Sequence, residues 1–131
     1  VNPSPLKYVD DNIYSLYPGN RIVGYYLYDI HNELVGRIQG LMVDPENYKP
    51  RYLVLTIGGF LFTEGKIVLF PKDHYEALEL GKVKTSWRRD SIQQSPSIND
   101  VRSLTLEKEQ VILGYYDLEP YWDITETNLN T

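Results

Sequence analysis

The chain has no cysteine among its 131 residues. Disulfides, thiolate metal sites and a cysteine nucleophile are therefore excluded. Histidine is almost as scarce, with two copies, His31 and His74. Metal sites usually need three or four ligands, and neither histidine has a second one at ligand spacing. Long apolar runs are missing too. The longest, such as Tyr52–Phe62, are glycine-broken and far too short to span a bilayer, so no membrane insertion is expected. No signal-peptide pattern is visible, and the chain opens on Val1 rather than Met, as a processed or excised piece would. No Asn-x-Ser/Thr acceptor with a permitted middle residue occurs. A cysteine-free chain of this kind suits the reducing cytoplasm, the expected location.

Surplus positive charge is also lacking. The formal net charge is −5, and all of it sits at one end. Residues 1–104 hold twelve acidic and twelve basic side chains, while residues 105–131 hold six acids and one base, Lys108. Phosphate affinity comes mainly from clustered Lys and Arg, so nucleic acid is not an expected partner. What remains is ordinary globular text, 42% hydrophobic and 24% charged, long enough to bury a core without staples.

Residues 1–20 read as an extended lead-in. Pro3, Pro5 and Pro18 block regular structure, yet Leu6, Tyr8, Ile13, Tyr14 and Tyr17 are too apolar for a free tail. Part of it is expected to lie on the body of the domain. Strand-like text follows over Ile22–Tyr28, β-branched and aromatic. After the polar turn Asp29–Glu33 comes a second strand, Leu34–Val43. Gly36 and Gly40 on it allow a sharp bend and a close neighbouring backbone. Arg51–Ile57 is nearly continuous in apolar character and so central. Lys66–Phe70, Glu76–Leu80 and Lys82–Trp87 complete six strands, with a helical turn near Asp90–Gln94. Short strands with a turn signal about every ten residues indicate a sandwich or barrel. One helix is convincing, Leu106–Leu113. It has Thr105 as N-cap, Glu107 and Glu109 in the first turn, and Gly114 as its stop. The end, Thr125–Thr131, is expected to fray.

Taken in order, these segments resemble a known family. Val23–Asp29, Glu33–Ile38 and Leu41–Glu46 are similar to the opening of a PRC-barrel domain. Arg51–Leu55, Gly58–Phe60 and Lys66–Pro71 resemble its middle, and Val83–Pro96 its last strand and closing turn. The resemblance covers roughly residues 21–98. The aromatic pairs Tyr115-Tyr116 and Tyr121-Trp122 look like a tail that follows some bacterial members. It implies an all-β fold, a small, mostly antiparallel β-barrel of about six strands with a C-terminal helix. It also implies a docking and assembly role without shared catalytic residues or a cofactor. The expected organisation is a lead-in over 1–20, the barrel over 21–98, and a helix with an acidic aromatic tail over 99–131.

Several clusters invite chemistry. Asp73 beside His74 could orient an imidazole for base catalysis or hold a metal, against the bland reading of a surface or structural histidine. Asp44, Glu46 and Asn47 lack the twelve-residue calcium pattern and read as a turn. Gly58-Gly59 and Gly65 make no phosphate loop. Glu76 and Glu79 are exposed charges by default. Lys82, Lys84, Trp87 and Arg88 form the best nucleic-acid candidate, with Trp87 to stack a base. The competing reading is a solvated edge strand with Trp87 packed inside.

Twelve tyrosines and two tryptophans favour interfaces. Tyr115, Tyr116, Tyr121 and Trp122 either cover their own chain or face a partner, and Phe60, Leu61 and Phe62 pose the same choice at a loop tip. The expectation is a non-catalytic protein-binding or scaffolding module, not an enzyme, which docks a protein partner or self-associates as a homo-oligomer. Those seven residues are the candidate contacts. The alternative is an RNA- or ribosome-associated assembly factor working through Lys82, Lys84, Trp87 and Arg88.

Overall fold

The computed structural model of the chain describes residues 2–58, 65–72 and 74–122. The loop Phe60–Phe62, Asp73 and the end expected to fray lie outside the described residues. The strands are β1 (Lys7–Val9), β2 (Tyr26–Tyr28), β3 (Leu34–Val43), β4 (Pro50–Ile57), β5 (Lys66–Pro71), β6 (Tyr75–Glu79), β7 (Lys82–Thr85) and β8 (Ser97–Ile98). Helix α1 (Arg89–Gln93) precedes β8, and α2 (Leu106–Tyr115) follows it. The sheet order is β6-β7-β2-β3-β4-β5-β8, with β1 added to β3. Every pairing among the described residues is antiparallel except β2 with β7, which is parallel. The strand-rich, mostly antiparallel sheet with a C-terminal helix is therefore as expected. The sheet has eight strands rather than six, and among the described residues its path of paired strands, from β6 to β8, is open rather than closed into the expected barrel. The two extra ones, β1 and β8, are three and two residues long, too short to show as a periodic pattern.

The core forms around β4. Leu53, Val54 and Leu55 are consecutive and fully buried, so both faces of this strand are covered. That explains its unbroken apolar text. β3 supports it on one side, and Gly36 and Gly40 are where other backbone comes close. A Cβ on Gly40 would lie 2.5 Å from the Tyr8 ring and 2.6 Å from the Val9 carbonyl oxygen. The lead-in uses that space, since β1 pairs with the end of β3 in the register Tyr8↔Met42. Ser4 N–H also donates to the Leu104 carbonyl and Leu106 N–H to the Asn2 carbonyl, which fixes the lead-in to the start of α2.

Two boundaries differ from expectation. β2 begins at Tyr26 rather than Ile22. Gly24 takes φ 92°, and Tyr25 N–H bonds back to the Ile22 carbonyl, so the first half of that apolar run is a turn. Helix α2 passes through Gly114. It ends where Asp117 takes φ 58°, with Leu118 N–H on the Leu113 carbonyl and Asp117 N–H on the Gly114 carbonyl. That is the Schellman closure, with an aspartate in the left-handed position. Thr105 caps the other end as expected, accepting from Lys108 N–H at 3.1 Å. Glu109, Ile112, Leu113 and Tyr116 fall three or four residues apart and form the buried stripe. No helix among the described residues is long and apolar enough to cross a membrane.

Candidate functional site

The structure scatters the residues singled out from sequence. Tyr116 is core, 3% exposed, with its ring 5.5 Å from Phe70 and 5.0 Å from Trp87. Burial pushes its hydroxyl pKa up to about 12. Tyr121 is half-buried, donates to Glu109 at 3.3 Å and lies 4.7 Å from the Arg51 guanidinium. Trp122 is half-buried against the core, in edge contact with Tyr121. These three cover their own chain, while Tyr115 keeps an open ring and bonds the Ser91 carbonyl through its hydroxyl.

Lys82 and Lys84 do share a face of β7, but the strand stops at Thr85. Arg88 is the residue before α1 and lies off that strand. Trp87 turns inward among Phe70, His74 and Tyr116. Trp87 is therefore not on the face that Lys82 and Lys84 share. His74 places its ring 5.5 Å from Trp87, and its carbonyl accepts from the Thr85 hydroxyl. His31 is exposed in the turn after β2, where its backbone N–H donates to Asp29. Among the described residues no group of three ligating side chains could hold a metal.

Two buried carboxylates hold elements in place. Burial raises the Asp29 pKa, but N–H groups of Glu33, Arg89 and His31 bond its oxygens and bring it below the ordinary 3.8. The residue thereby joins the β2–β3 turn to the start of α1. Glu109 accepts from the Tyr52 hydroxyl at 2.8 Å and so fastens α2 to β4. Here burial dominates over the hydroxyls of Ser4, Tyr52 and Tyr121 and over Arg51, and the pKa lies above the ordinary 4.5. The sequence placed Glu109 at a helix N-terminus but could not show Tyr52 across from it.

The most patterned surface is the outer face of β6-β7-β2-β3. Residues paired in register point the same way, so each strand contributes a row. Glu76 and Glu79 on β6 lie opposite Lys84 and Lys82 on β7. Those lysines lie opposite Tyr28 and Tyr26 on β2. The tyrosines lie opposite Leu34 and Arg37 on β3. Lys82 bends over the Tyr28 ring, 4.6 Å from its centroid. Ion pairs among the described residues are Arg51–Asp44, Arg89–Glu33 and Arg89–Asp90, so neither Glu76 nor Glu79 is in one. Leu27, Val83 and Thr85, on the opposite face, are buried. Beside the rows Ile30, Glu76 and Lys84 line a shallow groove of about 400 Å³. At the hairpin tip Leu78 is 54% and Leu80 91% exposed. These leucines and the tyrosine row were missed, because the face exists only once β2 meets β7 from the far end of the domain.

This open, strand-rich sheet with its packed centre is where a family likeness appears. The family model of the PRC-barrel domain matches residues 16–85. That is more than half of the chain, and the chain belongs to this family. The matched segment runs from Leu16 in the lead-in to Thr85 at the end of β7, and so includes every strand of the patterned face. No curated protein matches the chain.

Proposed function

We propose that this chain is a non-catalytic docking module, and that its contact surface is the β6-β7-β2-β3 face with the β6–β7 hairpin tip. The observation that carries this reading is a concentration of exposed apolar side chains. Of nine large hydrophobics exposed among the described residues, Tyr26, Ile30, Leu34, Leu78 and Leu80 lie on or beside this one face. Apolar side chains gathered within a polar rim are the usual composition of an interface. The lysines of β7 and the carboxylates of β6 lie among these side chains and supply polar contacts. Membership of the PRC-barrel family supports the same role, and most of the aromatic tail is packed onto its own chain and so is not available as the contact surface.

The test places a photo-reactive amino acid at position 80, or at exposed Gln110 on α2 as control, and irradiates the full chain in its native extract with and without nuclease. Adducts with a defined protein at position 80 and not at 110 are expected. Equal capture at both positions, or adducts that vanish with nuclease, would overturn the reading; the second result would favour an RNA partner.

A further inference from the structure

The outer edge of β6 is the end of the sheet path, and its one strand partner among the described residues is β7 on the inner side. An edge of this kind offers backbone N–H and C=O groups to an incoming strand. The inner side shows what β6 accepts. β7 brings Lys84 opposite Glu76 and Lys82 opposite Glu79, so each carboxylate is matched to a base in register. The same two residues are exposed, and neither is in an ion pair among the described residues.

We propose that the outer edge of β6 takes a basic, extended segment of a protein partner as an added strand. Its Lys or Arg side chains would lie opposite Glu76 and Glu79, and its apolar ones against Leu78. This rests on the docking reading above and names the partner's chemistry. The alternating rows of acid and base would gain one more basic row. A second copy of this chain is the poorer occupant. Pairing β6 with its own copy would bring four carboxylates to one seam, and like charges across a strand pair repel. The register shift between Ala77 and Glu79 also distorts the edge against flat self-pairing.

The probe is a labelled synthetic peptide with the sequence Lys82–Trp87, whose first four residues pair with the inner edge of β6 in the folded chain, with a counterpart carrying Glu for both lysines. Binding to the full chain is followed by fluorescence anisotropy and by amide hydrogen exchange. The basic peptide should bind, and raising salt from about 0.1 M to about 0.5 M should weaken it about tenfold. Glu76→Lys with Glu79→Lys should lose the basic peptide and gain the acidic one. Glu76→Gln with Glu79→Gln, which keeps the strand's shape, should lose the basic peptide alone. Protection should rise on β6 and stay unchanged on β7. Indifference to the charge swap, absence of binding, or loss of protection on β7 (strand exchange instead of addition) would overturn the proposal. Self-association that competes with the peptide would overturn it in favour of a second copy. If the peptide fails while position 80 still captures a protein, the docking reading stands and the strand-addition proposal alone falls.

Discussion

β4 and β6 belong to one sheet, yet they are built for different work. Leu53, Val54 and Leu55 of β4 are fully buried, whereas β6 is exposed from Glu76 to Glu79. β4 is flanked on both edges, by β3 and β5, and β6 on one. Burial on two faces makes β4 a source of stability that tolerates little change. A strand wetted along its length and open on one edge contributes less to stability, and its side chains are free to be chosen for a partner. The comparison teaches that exposed side chains of β6 can be altered without touching what keeps the chain folded.

The sharpest way to stress the core side is Phe70→Ala. Phe70 is fully buried and meets Trp87 and Tyr116 edge-on. Urea denaturation should show a loss of about 3–5 kcal/mol. Next comes Asp29→Ala, which leaves three N–H groups without their acceptor and should cost about 2–3 kcal/mol. Because the Asp29 pKa is lowered on folding, its contribution is present above 3.8 and is lost as pH falls through the folded-state value. Denaturation as a function of pH should therefore show the variant losing less than the parent at the acid end.

Glu109 works with the opposite sign. Its pKa is raised on folding, so the folded chain holds that proton more tightly than the unfolded one. Its contribution to stability should fall as pH rises from 4.5 through the folded-state value. Glu109→Gln should remove that dependence while keeping an acceptor for Tyr52, as the same titration would show. The smallest effect is expected at the β6–β7 hairpin tip. Leu80→Ser should change stability by less than about 0.5 kcal/mol, read by thermal melting, because Leu80 is almost wholly in water.

Parts of this division were legible in the sequence. β3, β4 and β5 were bounded to within a residue, because each is a largely buried run set between turn signals. Thr105 was read as a cap because capping is local chemistry. Gly24 and Gly114 misled for the same local reason: whether a glycine bends a strand or rides inside a helix depends on φ, which neighbours impose. Glu109 and Asp29 were beyond reach as buried anchors, since Tyr52 and Arg89 lie 57 and 60 residues from them. The patterned face was hidden most deeply. It requires β2 and β7 to pair in parallel, and no short-range pattern announces that pairing.

Residue-resolved native-state hydrogen exchange on the full chain tests the division most directly. Amides of Leu53–Leu55 should exchange only through global unfolding, with the free energy that denaturant gives. Amides by which β6 bonds β7 should exchange through a local opening at least about 2 kcal/mol lower. If β6 exchanged with the same free energy as β4, the hairpin would be part of the cooperative core, and the separation of folding from docking would be wrong.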